Sequence, residues 1–111
     1  MATFPYIMGE SGTIGFPVDQ WDGSPMPLND LGLQLVIYLP GADLVIPGTA
    51  TSGQVASISG VIDHPSIAAF KLSPENTPMR PRVYRCALQI NDGTGFKTLA
   101  GGEHLINVRA L

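Results

Sequence analysis

Residues 31–39, with the sequence LGLQLVIYL, are the most apolar run of the chain and decide its fold class. Leu33, Leu35 and Ile37 fall on one face of an extended strand, because side chains alternate between faces with a period of two. The Pro-Gly pair at 40–41 ends the run. The stretch therefore predicts a central β-strand and not a helix.

A second strand is expected at residues 83–91, VYRCALQIN, where Tyr84, Cys86 and Leu88 alternate with more polar residues. Outward from these two runs, further strands are predicted at residues 13–18, 43–46, 54–62, 67–72, 96–99 and 104–110. Loops or turns are predicted between them at residues 20–28, 49–53, 63–66, 91–95 and 100–102. About seven or eight short strands without a long amphipathic helix are typical of an antiparallel β-sandwich or barrel.

The length of 111 residues suits one domain, and 44% hydrophobic with only 14% charged residues argues against a disordered chain. We expect an N-terminal arm over residues 1–12 and a β-sandwich domain over residues 13–111. One core is expected from the inward faces of Leu33, Leu35, Ile37, Phe70, Leu72, Tyr84, Cys86, Leu88, Ile90 and Val108.

Charge and composition exclude several classes of function. The net charge is −3 with six basic residues, which predicts no nucleic-acid partner. No apolar run is long enough to span a membrane, and residues 1–5 do not resemble a signal peptide. The single cysteine, Cys86, cannot form an internal disulfide, so we expect synthesis in a reducing cytoplasm and a buried, inert thiol.

Residues that could support catalysis are sparse. Residues 63–66, Asp-His-Pro-Ser, contain the residue types of a hydrolytic triad, but adjacency in sequence is not triad geometry, and a polar turn is favoured. The other histidine, His104, is expected to be an exposed strand residue. There is no pair of histidines at metal-ligand spacing and no phosphate-binding loop. We therefore expect no enzyme, no metal and no cofactor.

The residues before the first strand form a separate candidate interaction site. Phe4, Tyr6, Ile7 and Met8 are apolar but show neither helical nor strand periodicity. Two interpretations are open. The segment either docks on a neighbouring protein, or it covers the edge of its own sheet.

Two further candidates for a protein interface lie in loops. Trp21 sits in an Asp-Gly turn region, where a lone tryptophan either plugs the core, which we favour slightly, or anchors an interface. Arg80 and Arg82 precede a strand that also carries Arg85. Their guanidinium groups either pair with carboxylates of a partner subunit or remain solvated, and the solvated loop is favoured.

Several segments of the chain resemble one family. They are residues 18–28 (VDQWDGSPMPL), 61–63 (VID), 67–77 (IAAFKLSPENT), 83–90 (VYRCALQI), 91–93 (NDG), 96–99 (FKTL) and 101–108 (GGEHLINV). In this order they resemble the immunoglobulin-like domain that begins tailed-phage baseplate upper proteins and recurs in other phage virion proteins. The resemblance covers about residues 13–110, and Val83 stands where the family often has glycine.

This resemblance implies a non-enzymatic structural component of a tailed-phage or phage-like virion. The chain would be made in the host cytoplasm and would dock on other virion proteins in the baseplate or tail, or as a head decoration or spike base. It would be present as a homo-oligomer or in many copies. The alternative function is a β-sandwich that binds carbohydrate or a host surface, with Trp21, Tyr38 and Phe96 as its aromatic candidates.

Overall fold

A computed structural model describes residues 3–58, 60–77 and 80–110. Seven strands lie within them: β1 (Thr3–Ile7), β2 (Gly12–Pro17), β3 (Gly32–Leu39), β4 (Ala42–Ser57), β5 (Gly60–Leu72), β6 (Arg82–Asn91) and β7 (Phe96–Arg109). No helix occurs among these residues. The prediction of an all-β chain is confirmed.

The seven strands form one sheet with the order β1-β7-β6-β3-β4-β5-β2. β3 lies in the middle, as predicted, and β2 lies at an edge. The expectation of a purely antiparallel arrangement is wrong for one pair, because β1 runs parallel to β7. The sheet is therefore mixed.

The sheet curls because β4 changes partner along its length. Residues 42–47 pair with β3, and residues 48–57 pair with β5. A side chain at Gly48 would clash with the ring of Phe70, since an added Cβ would lie only 2.4 Å from a ring carbon. The curl brings the two edge strands together, with the rings of Phe4 in β1 and Phe16 in β2 only 5.0 Å apart between centroids.

The β4–β5 hairpin corrects three predictions. The predicted loop at residues 49–53 lies inside β4, and the predicted turn at residues 63–66 lies inside β5. The predicted single strand at residues 54–62 comprises instead the end of β4 and the start of β5. The chain reverses where Ser57 pairs with Gly60. Most side chains in this hairpin are exposed, so their polarity reflects solvent contact on a projecting ribbon rather than an interruption of the strand.

β7 also replaces two predicted strands. Glu103 pairs with Ala87 and Thr98 with Gln89, so residues 99–102 lie opposite Leu88 alone. The predicted turn at residues 100–102 is therefore a bulge within one continuous strand. Bulges of this kind change the direction of side chains without ending the pairing.

The core forms inside the curl. The predicted residues Leu33, Leu35, Ile37, Phe70, Leu72, Tyr84, Cys86, Leu88 and Val108 are buried there, and Ile90 packs against them partly exposed. Residues that the prediction omitted join them from every side: Tyr6, Ile14, Phe16, Val18, Leu28, Ile46, Ala68 and Ile106.

Residues 3–7 of the predicted arm are the edge strand β1, and they lie against β7 with Tyr6 opposite Val108. The side chain of Tyr6 is buried in the core, and Phe4 and Met8 pack against the core. Of the two interpretations, coverage of the chain's own sheet describes these residues. Tyr6 is a core residue and not a free docking residue, whereas Ile7 is exposed. Met1 and Ala2 of the predicted arm, and Leu111 at the end of the predicted domain, lie outside the described residues.

Candidate functional site

The loop between β2 and β3 holds its backbone by its own hydrogen bonds. Asp19 and Pro25 form an isolated β-bridge at its base. The Gln20 amide donates to the Ser24 carbonyl at 2.7 Å, and the Gly23 amide donates to the Gln20 carbonyl at 2.9 Å. Gly23 has a φ of 87°, a left-handed conformation that glycine adopts without strain.

Asp22 completes this turn. Its carboxylate accepts hydrogen bonds from the Ser24 hydroxyl at 2.6 Å and from the Ser24 amide at 3.0 Å. These bonds, the hydroxyl bond first, lower the pKa of Asp22 below its ordinary value. The loop therefore carries a fixed negative charge beside its tip.

Trp21 lies at the tip of this loop, and its side chain is 98% exposed. The favoured interpretation, that Trp21 plugs the core of its own chain, is wrong. A plug would need core atoms within reach of the indole, but the loop satisfies its own backbone groups while standing away from the core. The anchor interpretation stays a prediction.

His64 ties the base of the loop to β5. Its Nε2 lies 2.8 Å from Oδ1 of Asp19. Its Nδ1 lies 2.9 Å from the amide nitrogen and 2.8 Å from the carbonyl oxygen of Ser66. In the neutral ring Nδ1 accepts from the amide, and in the charged ring it donates to the carbonyl. In both states Nε2 carries a proton and donates a hydrogen bond to the Asp19 carboxylate.

This arrangement is not a hydrolytic triad. Both ring nitrogens of His64 are engaged, and Nδ1 meets the backbone of Ser66 and not its hydroxyl. The carboxylate partner is Asp19 and not the adjacent Asp63. The pair links the loop after β2 to strand β5, a structural role that the spacing of these residues in the sequence does not indicate.

A cleft of about 400 Å³ opens beside the loop. One wall comes from β2 and the residues after it, and the opposite wall comes from the bulge of β7. The lining residues are Phe4, Gly15, Phe16, Pro17, Val18, Asp19, Ile62, Leu88, Leu99, Ala100, Gly101, Gly102 and His104. A side chain at Gly102 would meet the carbonyl oxygens of Leu99 and Leu88 at 3.0 and 3.1 Å, so glycine is needed for the bulge to pack this closely.

His104 belongs to the aromatic part of the cleft. Its ring stacks on Phe16 with 5.2 Å between centroids and meets Phe4 edge-on at 5.3 Å. Burial lowers the pKa of His104, so the ring is predominantly neutral at pH 7. The expectation of an exposed strand residue is wrong, because the curl of the sheet brings β1 and β2 over this end of β7.

The arginines lie elsewhere on the surface. The Arg82 guanidinium sits 5.9 Å from the centroid of the Tyr84 ring, and the backbone of Arg80 exchanges hydrogen bonds with the Tyr84 hydroxyl. Both side chains are exposed at the start of β6. Trp21 lies in the loop that leads into β3, and β3 begins opposite the far end of β6, at Asn91. The structure therefore does not bring the arginines and Trp21 into one patch.

The remaining chemistry is sparse. Burial raises the pKa of the Cys86 thiol to about 11, which confirms a buried thiol with little nucleophilic thiolate. Within residues 3–58, 60–77 and 80–110, no three His, Cys, Asp or Glu side chains cluster as metal ligands. The same part of the chain contains no helix of the length and apolarity needed to cross a bilayer.

In comparisons with known proteins, no family model, no curated protein and no solved structure matches the chain.

Proposed function

We propose that this chain is a non-enzymatic, immunoglobulin-like docking domain of a tailed-phage or phage-like virion. The observation that carries the docking role is Trp21, which is 98% exposed on a loop that is already ordered. Tryptophan is among the residues that dominate binding energy at protein interfaces. Because the loop is ordered before binding, a partner meets the indole without a further ordering cost.

The strand pairing supports the immunoglobulin-like part of the proposal. β2, β5 and the second half of β4 pair with each other, and so do β3, β6 and β7. Immunoglobulin domains divide their strands in the same way, with the second strand paired to the fifth and the third to the sixth.

A local feature of β6 agrees with this. The Tyr84 hydroxyl donates to the Arg80 carbonyl at 3.0 Å, and Tyr84 stands two residues before Cys86. A tyrosine at this position, bonded back to the chain a few residues upstream, is the tyrosine corner of immunoglobulin-like domains.

The virion part of the proposal depends on the sequence resemblance over about residues 13–110. The surface of the domain is compatible with it. Trp21 and the two arginines lie apart, which suits a part that contacts more than one neighbour in an assembly. The non-enzymatic part is supported by the engaged ring of His64 and the buried thiol of Cys86.

A carbohydrate-binding function is the second candidate, and the same residue favours it. An exposed indole on a hydrogen-bonded loop also stacks well on a sugar ring, and Phe96 at the start of β7 is a second exposed aromatic side chain. A glycan-array screen with purified protein tests this function. Binding that Trp21→Ser abolishes would favour it over protein docking.

The test of the proposed function uses assembled particles. Intact, purified particles are analysed by quantitative mass spectrometry, with wild-type chain and with Trp21→Ser supplied in its place. We expect multiple copies of the wild-type chain per particle and a large loss with Trp21→Ser, whereas the matched control Phe96→Ser is retained. Particles that lack the wild-type chain, or that retain Trp21→Ser at the wild-type level, would overturn the proposed function.

A further inference from the structure

The cleft beside β7 has the size and lining of a binding site. Its volume of about 400 Å³ falls within the range of roughly 300–1,000 Å³ that is usual for ligand sites. Phe4, Phe16 and the ring of His104 pack against one another at its aromatic end. Such a group of rings favours an aromatic occupant, which gains from edge-on or offset contacts beyond the burial of its area.

The loop that carries the exposed indole of Trp21 begins at the edge of this cleft. Asp19 lines the cleft and also forms the base of the loop through its bridge to Pro25. Trp21 follows two residues later, and two residues span at most about 7 Å between Cα atoms. A protruding aromatic group and an apolar depression are therefore neighbours on one surface.

We propose that the occupant of the cleft is Trp21 of a second copy of this chain, and that the exchange is reciprocal. A two-fold axis brings the same surface patch of two copies face to face, so a patch that holds both a protrusion and a depression complements itself. This inference rests on the proposed docking role of the Trp21 loop and names its partner.

The chemistry of the cleft fits an indole in particular. The partly exposed rings of Phe4 and His104 offer apolar contact, and the half-exposed side chain of Asp19 also lines the cleft. Only one oxygen of Asp19 is bound to His64, so the carboxylate retains capacity to accept the indole N–H. An indole in the cleft thus buries its apolar body and keeps a partner for its single donor.

The size of the contact predicts its strength. An aromatic side chain buries about 150–250 Å². Two indoles and the two clefts that receive them therefore bury roughly 600–1,000 Å² in total, below the roughly 1,200 Å² at which stable interfaces begin. We expect a weak dimer in solution that becomes effective where many copies are held together, because local concentration then replaces intrinsic affinity.

Charge gives an independent signature. Each copy carries a net charge of −3, so two copies repel each other at low ionic strength. Salt screens this repulsion while leaving the apolar contact in place. Self-association should therefore strengthen with added salt, opposite to a contact made by ion pairs.

Trp21 is the only tryptophan, so intrinsic fluorescence reports on the proposed contact directly. Emission maximum and acrylamide quenching are measured from roughly 10 μM to 1 mM protein, a range that brackets the affinity of a contact this small, alongside sedimentation velocity. We expect a blue shift and falling quenching as the concentration rises, in step with dimer formation.

Two variants separate the halves of the contact. Trp21→Ser removes the indole and keeps the cleft, and Ala100→Glu places a charge in the cleft at an exposed residue and keeps the indole. Each should lose self-association. Their mixture restores one indole-to-cleft contact, so Trp21 of the Ala100→Glu chain should become protected when the optically silent Trp21→Ser chain is added. Val61→Glu, a charge on an exposed side chain that does not line the cleft, is the matched control and should dimerise as wild type.

The outcomes decide the matter. Trp21 that stays fully quenchable at every concentration, protection that is independent of concentration, or a mixture of the two variants that shows no protection would overturn the inference. Loss of Trp21→Ser from particles together with no self-association in solution would retain the proposed function and reject the second copy as partner. Retention of Trp21→Ser in particles would reject the proposed function itself, whatever the solution result.

Discussion

The N-terminal segment and the Trp21 loop each carry an aromatic side chain outside the clearest strands, and these two side chains end in opposite environments. Tyr6 is 3% exposed and Trp21 is 98% exposed. The difference follows from where each backbone finds its hydrogen bonds. The backbone of residues 3–7 pairs with β7, which carries the Tyr6 side chain into the core and Phe4 against it. The loop closes its bonds between its own residues, so nothing draws Trp21 inward.

This contrast shows that the aromatic character of a side chain does not by itself decide its burial. Backbone groups must be satisfied somewhere, and the place where they are satisfied fixes where the side chains go. A self-sufficient turn can hold a large aromatic residue in solvent, whereas an extended segment must join a sheet. Four experiments, described in the following paragraphs, test this contrast.

The largest effect is expected for Tyr6→Ala. Truncating a buried aromatic side chain costs about 3–5 kcal/mol of stability. The substitution also removes the hydroxyl that lies 2.9 Å from Thr77 Oγ1 and 2.8 Å from the Glu10 carbonyl. Urea unfolding measures the change, and Cys86 should react with a disulfide reagent faster in the variant because its thiol is reached through unfolding. A cost below about 1 kcal/mol would mean that β1 contributes little to the fold.

A smaller effect is expected for Gly23→Ala. At a φ of 87° an alanine is strained by about 1–2 kcal/mol, which the loop either bears or relieves by changing its conformation. We expect a modest loss of stability together with faster motion of the indole, seen as lower fluorescence anisotropy of Trp21. Gly23→Asn is the control, because asparagine tolerates this conformation better. Equal behaviour of both variants would show that backbone strain at Gly23 does not hold the loop.

The pH dependence of stability should report on His104, to a lesser degree because its ring is only half-buried. Its folded pKa lies below 6.5 through burial, so the unfolded chain binds the proton more readily. The stabilising effect of the neutral ring is complete above pH 6.5 and is lost as the pH falls through the folded pKa. In urea unfolding at a series of pH values, His104→Gln should flatten this part of the profile. A profile unchanged by the substitution would argue against burial of the ring between Phe4 and Phe16.

The smallest effect on stability is expected for Trp21→Ser. Substitution of an exposed residue without packed neighbours usually changes stability by less than about 0.5 kcal/mol. Urea unfolding at low protein concentration, where the chain is monomeric, measures it. A loss above about 1 kcal/mol would place the indole against the fold and weaken its assignment as a docking group.

The sequence could predict the strands whose side chains alternate. The strands predicted at residues 31–39 and 83–91 correspond to β3 and β6. These predictions succeeded because a half-buried strand imposes a period of two on its apolar residues. It could not predict the extent of β4, β5 and β7, because Gly, Pro and Ser also serve in exposed ribbons and bulges. Pro65 and Gly101 mark such places, and each lies inside a strand.

The candidate site was predictable only in part. Trp21 stood out in the sequence as a single tryptophan in a turn, but the sequence did not indicate that its side chain would be exposed. The cleft is built from β1, β2, β5, β6 and β7, and no local pattern indicates that His104 would stack on Phe16. Likewise, the partner of His64 is Asp19, far away in the sequence, rather than the neighbouring Asp63.

By itself, the sequence determined that this protein is an all-β chain around one apolar core, because alternation and turn residues act over a few positions. The tertiary structure decided that the aromatic side chain of Tyr6 is buried and that of Trp21 is exposed. It joined β1 to β7, curled the sheet until Phe4 met Phe16, and formed the cleft beside Trp21. These outcomes depend on pairing between distant segments, where backbone hydrogen bonds and packing across the sheet outweigh local preference.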